Sequence, residues 1–187
     1  MILGSSSPRR QLFLEEMNIP FTKIVKEVDE LFPPDLKHSE ITDYLVKLKA
    51  EPFLQELKAN DLLLTCDTIV WHQNKMLGKP KEQNQAIEML TSLSGKTHEV
   101  ISSICFTNPK FQVIKNSVTK VYFEVLTNYE IEYYVDQFKP FDKAGAYGIQ
   151  EWIGMIGISK IEGSYENVVG LPTELFYSTL QEILEQD

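Results

Sequence analysis

The residues best equipped for chemistry are one carboxylate and a set of cations placed beside Gly, Ser or Pro. Asp67 follows directly on the apolar run Leu62-Leu63-Leu64-Thr65-Cys66, which reads as a central strand. Ligands of open α/β sheets gather at the carboxyl ends of strands. A carboxylate there could bind Mg²⁺ or take a proton from water, although a capping or turn aspartate is the commoner fate of such a residue. The segment Gly4-Ser5-Ser6-Ser7-Pro8-Arg9-Arg10 follows a short apolar run and leads into a helix. That order presents backbone N–H groups to an anion, with the Ser5 and Ser7 hydroxyls as extra donors. Arg9 and Arg10 add planar, always-charged forks that suit phosphate oxygens. A plain helix cap with two solvated arginines would read the same way. The Gly-Lys-Ser/Thr ending of a Walker A loop is absent.

Three further stretches bear on ligands. Gly78-Lys79-Pro80 holds a lysine between two conformational restrictors, which suits either a fixed point charge or a surface turn. Asp142-Lys143-Ala144-Gly145-Ala146-Tyr147-Gly148-Ile149-Gln150 is dense in small residues, so backbone could approach a flat ligand closely. Tyr147 could stack or pack, and the Gln150 amide could pair with a base edge. The run Gly163 to Pro172 ends in a second Gly-x-Pro helix start and reads mainly as a strand-to-helix turn. His38, His72 and His98 share no metal-ligand spacing, and Cys66 and Cys105, both in apolar runs, read as buried inert thiols.

The elements that must position these groups alternate between α and β. Ser7 caps a helix opened by Pro8, and residues 21–28 read as a strand. A helix starts at Ser39 and must break or kink at Pro52. The strand ending at Cys66 is followed by a hairpin turning at Gln73-Asn74 and a helix from about Glu82 to Leu93. Two long β-rich runs meet near Asn108-Pro109 and read as antiparallel neighbours. Thr127 and Glu130 form a capping box, and Pro172 opens a last helix. The fold class is mixed α/β, with both parallel and antiparallel pairing.

Composition narrows the function. The chain has 187 residues, is 43% hydrophobic and 24% charged, and carries a formal net charge of −9. It can bury a sizeable core, but it repels a nucleic-acid polymer and has no basic arm to offset that. A small anion needs only a few placed cations. No apolar stretch approaches a membrane span, and no signal peptide opens the chain, so a cytoplasmic location and no membrane partner are expected.

Taken together, Ser5-Ser6-Ser7-Pro8-Arg9-Arg10, Asp67-Thr68-Ile69-Val70, Gly78-Lys79-Pro80, Leu93-Ser94-Gly95-Lys96-Thr97-His98, the Asp142 to Gln150 stretch and Val169-Gly170-Leu171-Pro172 resemble the Maf nucleotide pyrophosphatases. The six segments occur in the family's order over nearly the whole chain. The resemblance implies one domain over residues 1–187, with a twisted mixed sheet flanked by helices and two lobes around a central cleft, as in the ITPase-like folds. It implies cleavage of a nucleoside triphosphate to monophosphate and diphosphate, with Mg²⁺ or Mn²⁺ and often as a homodimer. By motif position, the resemblance makes Asp67 the catalytic acidic residue, and Glu30 with Asp67 would hold the metal. Ser5, Ser7, Arg10, Lys49 and Lys79 would bind phosphate. Arg9, Thr68 and Gln150 would set specificity, and their pattern is that of the branch taking dTTP and UTP. The alternatives are a nucleotide-binding regulator of cell division with little catalysis, and a sister-branch pyrophosphatase for modified nucleotides. The chain departs from the family pattern at Gly4 and Cys66, where Ala is usual, at Pro52 shortly after Lys49, and at Glu151-Trp152 after the glutamine.

Overall fold

Over residues 1–185, which the computed structural model describes, the alternating pattern resolves into seven strands and seven α-helices. The strands form one sheet: β1 (Ile2–Leu3), β2 (Thr22–Lys23), β3 (Leu63–His72), β4 (Lys75–Leu77), β5 (Thr97–Asn108), β6 (Phe111–Phe123) and β7 (Ile158–Glu162), in the order β2-β1-β3-β5-β6-β7, with β4 beside β3. The chain divides into two compact units. The first comprises residues 1–68, 102–117 and the segment from Gly170 onward; the second comprises residues 69–101 and 118–169.

In the first unit, β1 runs parallel to both β2 and β3, with Ile2 opposite Leu63 and Leu3 opposite Leu64. Its helices are α1 (Pro8–Glu16), α2 (Ser39–Ala50) and α7 (Thr173–Leu184). Successive side chains on a strand point to opposite faces, and β3 sorts its residues accordingly. Leu64 and Cys66 pack with Leu14, Phe106 and Phe176 on one face. Leu63 packs with Ala50 and Phe53 on the other, where the Thr65 hydroxyl donates to the Val46 carbonyl of α2 at 2.8 Å. Asp67 continues the α2 face, and Thr68 the opposite one.

In the second unit, β3 turns into β4 through Gln73 (φ 49°) and Asn74 (φ 60°), the paired left-handed residues of a two-residue hairpin. Helices α3 (Gln83–Leu93), α4 (Asn128–Phe138), α5 (Trp152–Gly157) and α6 (Tyr165–Val169) complete it, and β7 pairs antiparallel with β6. Leu90, Leu93, Val100, Val121, Tyr134 and Ile153 share its core. The Thr127–Glu130 capping box forms as the sequence predicts, with both reciprocal bonds present.

Three expectations change. The strand foreseen over residues 21–28 is only Thr22–Lys23, because its one neighbour, β1, offers two paired positions; residues 24–37 are irregular. The strand foreseen to stop at Cys66 continues to His72, so Asp67 lies within β3 and not beyond its end. A polar pair inside a strand reads as a break in sequence; here both side chains have intrachain partners. The run Gly163 to Pro172, which reads mainly as a strand-to-helix turn, carries the short helix α6 before α7 opens.

His98 of β5 is buried, with its Nε2 2.7 Å from the Tyr147 hydroxyl. Burial, aided by the neighbouring His72, pushes its pKa down from 6.5 to about 3. The unfolded chain therefore binds a proton that the native state refuses between those two values, and stability rises with pH across that window. This group contributes a slope of up to about 1.4 kcal/mol per pH unit. Urea midpoints of wild type and His98→Gln between about pH 4 and pH 6.5 test this; the variant should show the shallower pH dependence.

Candidate active site

Lys49 sits in the last turn of α2, whose buried face is Ile41, Leu45, Val46 and Ala50. Lys49 follows Leu45 by four residues, on the same side of the helix, and its ammonium reaches Asp67 on β3. The Nζ atom is 2.5 Å from Asp67 Oδ1 and 2.9 Å from Glu30 Oε1. The Lys49 and Asp67 side chains keep only 16% and 9% of their exposure, so both charges are largely withdrawn from water, whereas Glu30 remains half exposed. Each partner makes the other tolerable; removing one strands a buried charge, typically at a cost of about 3–5 kcal/mol.

Two local features bring Lys49 and Glu30 to this point. Pro52 ends α2, and residues 51–53 continue as a single 3-10 turn, which leaves Lys49 near the helix terminus with its reach intact. The position that departs from the family pattern is thus compatible with the placement of Lys49. Glu30 belongs to the irregular segment 24–37, which Lys26 anchors. Lys26 Nζ donates to the Pro52 carbonyl at 2.8 Å, pairs with Glu56 at 2.6 Å and stands 4.8 Å from the centre of the Phe53 ring. Sequence reasoning missed Lys26; the only available signal was Pro52-Phe53 just after the helix, and that read simply as a break.

A second group forms around Arg10. Its Nε donates to the Gly170 carbonyl at 2.9 Å, Nη1 to the Cys66 carbonyl at 2.9 Å and Ser5 Oγ at 3.1 Å, and Nη2 to Thr68 Oγ1 at 3.2 Å. Four of the five N–H donors of a guanidinium are thereby used inside the protein. Ser7 caps α1 by accepting the Arg10 N–H, and the Ser7 N–H donates to Ser5 Oγ at 3.3 Å. Thr68 Oγ1 also lies 2.8 Å from Ser102 Oγ. Arg9 is half-buried in the first turn of α1. Gly4 serves packing: a Cβ there would lie 3.0 Å from Thr65 Cγ2 and 3.2 Å from Leu63 Cδ1. Cys66 and Cys105 are buried thiols; burial raises both pKa values, that of Cys66 to about 11.

Lys79 and Gln150 belong to the second unit, and both are exposed. Next to Lys79, the Gly78 carbonyl accepts the Gly145 N–H at 3.0 Å. Gly145 (φ 68°) has no room for a side chain, since a Cβ would lie 2.9 Å from Val70 Cγ2. Tyr147, open in sequence to stacking or packing, is buried and packs edge-on against Phe123.

The description "Maf-like protein" matches residues 1–183. The chain belongs to the Maf family. A relative from Christiangramia forsetii, named dTTP/UTP pyrophosphatase, is 59% identical over 98% of this chain and 94% of its own. A Flavobacterium johnsoniae protein of the same name is 53% identical, covering 96% and 93%. Among solved structures, the Staphylococcus aureus Ham1 protein matches with a TM-score of 0.49 and 15% identity, over 99% of this chain and 97% of that one.

Among the described residues no group of three or more His, Cys, Asp or Glu side chains is placed to hold a metal. Two carboxylates do converge, on the Lys49 ammonium. Magnesium is commonly held by one or two carboxylates, with substrate phosphates and water completing its octahedron. Asp67 and Glu30 fit that mode and no all-protein cage.

Arg10→Lys tests the second group. A lysine cannot span the four acceptors, so buried carbonyls lose partners and stability should fall by about 1–3 kcal/mol. Urea denaturation measures it; unchanged stability would mean that the guanidinium contacts do not brace the loop.

Proposed function

We propose that this chain hydrolyses dTTP and UTP to the monophosphate and diphosphate, as a nucleotide diphosphatase. The observation that carries the chemistry is the convergence of Asp67 and Glu30 on the Lys49 ammonium. The substrate follows from two relatives at more than half identity, both named dTTP/UTP pyrophosphatase.

Asp67 is held on a rigid strand, largely shielded from water, and aimed by Lys49. It accepts a proton from the water that attacks the α-phosphorus; the bond to the bridging oxygen breaks and diphosphate leaves. Lys49 is a point cation beside that carboxylate and balances charge that grows on the phosphate oxygens. Asp67 and Glu30 would hold a Mg²⁺ or Mn²⁺ ion, which when bound neutralises phosphate charge and polarises the phosphoryl oxygens. Ser5, Ser7 and Lys79 are proposed to bind phosphate through their hydroxyl and ammonium donors. Arg10, with four donors engaged internally, is proposed to act by holding Ser5 and Thr68 in place, with one N–H left for a ligand. Gln150, Arg9 and Thr68 are proposed to select the base, Gln150 by pairing with a uracil or thymine edge.

A small-molecule triphosphate is the partner this reading requires. No helix among the described residues is long and apolar enough to cross a membrane. A cytoplasmic setting and a homodimer are expectations carried by the family resemblance.

A diphosphate-release assay across the common triphosphates, with and without Mg²⁺ and after chelation, tests the reading. Turnover of dTTP and UTP should exceed that of ATP and GTP, and should be lost on chelation and restored by Mg²⁺ or Mn²⁺. Asp67→Asn should retain nucleotide binding and lose about a thousandfold in kcat. A fully active variant removes Asp67 from the mechanism, and orthophosphate as the product would mean that a different bond is cut.

A further inference from the structure

The loop that carries Gln150 is closed by polar contacts that the family motif does not foretell. Lys143 opens it and Glu151, immediately after Gln150, ends it. The Lys143 ammonium lies 3.0 Å from Glu151 Oε1 and 2.7 Å from Asp142 Oδ1. The Tyr134 hydroxyl, from α4, donates to Glu151 Oε2 and accepts the Gly148 N–H at 3.0 Å. Lys143 and Glu151 keep 10% and 20% of their side-chain exposure, and Tyr134 is fully buried. Gly148 lies against the ion pair: a Cβ there would be 3.0 Å from both Glu151 Cδ and Lys143 Cε. Burial and the contact with Glu151 raise the Tyr134 pKa, so it remains a phenol and a donor at neutral pH.

We infer that Lys143, Glu151 and Tyr134 form a clasp that presets the backbone on which Gln150 stands, making Glu151 a positioning residue for base discrimination. The inference rests on the reading of Gln150 as the base-contacting side chain. Gln150 is exposed in a turn, where an unbraced amide would sample many directions and give up that freedom on binding. The clasp holds Glu151, the residue bonded next to Gln150, through the ion pair and the Tyr134 hydroxyl, Gly148 two residues before Gln150 through Tyr134, and the start of the loop through Lys143. It also consumes the Lys143 charge. Placed between two carboxylates, that ammonium is a brace and not a spare phosphate ligand. Glu151, at a position where the family pattern continues with glycine, thereby gains a role: rigidity supplied by an ion pair.

The test compares steady-state kinetics on dTTP, UTP and CTP for Glu151→Ala, Glu151→Gln and Gln150→Ala, with amide hydrogen exchange over residues 144–150. Glu151→Ala should raise KM for dTTP and UTP about tenfold, leave kcat within about threefold, and lower the preference for UTP over CTP about tenfold. Exchange in the loop should speed up. Glu151→Gln, which matches the native residue in size and keeps an acceptor for Tyr134, should fall between Glu151→Ala and wild type; it also serves if the alanine variant folds poorly. Lys143→Met with Glu151→Gln should lose less than the two single losses combined, because neither charge is then stranded. The clasp is overturned if both Glu151 variants keep wild-type KM and base preference, or if they lose only thermal stability. If Gln150→Ala discriminates bases like wild type, the reading of Gln150 fails and the clasp's role falls with it. If Gln150→Ala loses discrimination while Glu151→Ala keeps it, the clasp alone fails.

Discussion

The contact between Lys49 and Asp67 is the constraint on which the first unit depends. Its two charges keep 16% and 9% of their side-chain exposure, so the pair survives only where Coulomb attraction offsets lost hydration. That demands a short, fixed distance, and the fold supplies it from both sides. β3 fixes Asp67 because Leu63 and Thr65, on the same face, already lock that face against α2. Helix α2 fixes Lys49 because Leu45 and Val46 in the preceding turn are buried, while Pro52 prevents the helix from running on. Glu30 then meets the same ammonium from a segment with no regular structure, and Lys26 holds that segment to the 3-10 turn created by the proline.

What could be read in the sequence divides along physical lines. Features set by local chemistry were legible: Ser7 and Pro8 at a helix start, the Thr127–Glu130 capping box, the Gln73-Asn74 hairpin, and the alternation of α and β. Features set by distant partners were not. Thr22–Lys23 is short because of what β1 offers, which the residues 21–28 do not encode. Asp67 sits within a strand because Lys49, 18 positions earlier, makes a charge tolerable there. The brace roles of Lys26 and Glu151 are invisible without coordinates, since each depends on groups brought near by the fold.

The Arg10 cluster shows why a motif that suggests a ligand can serve the scaffold first. An arginine fork beside serines suits phosphate, but the same fork suits carbonyl and hydroxyl oxygens of its own chain. Here it spans Gly170, Cys66, Ser5 and Thr68, joining α1, β3 and the approach to α7. Side-chain alternation along β3 then assigns adjacent residues to different tasks. Asp67 turns toward Lys49, and Thr68 turns to the Arg10 cluster. One dipeptide thus anchors two sites on opposite faces of a strand, which is why neither residue can be moved along the chain by a single position.

Charge decides what the Glu30–Lys49–Asp67 group can do. Two carboxylates and one ammonium carry a net charge of −1, within a chain whose formal net charge is −9. Such a group does not by itself attract a triphosphate; it favours additional positive charge. The proposed divalent cation meets that requirement, and Lys49 shows that a cation is accommodated where the two carboxylates converge. With added positive charge at this point, the anionic substrate and the anionic base can occupy neighbouring places without the repulsion that would otherwise separate them. The lysine alone is enough for the fold, because one positive charge makes the buried Asp67 tolerable. The chemistry asks for more, because the phosphate brings several negative charges to a group that is already one short of neutral.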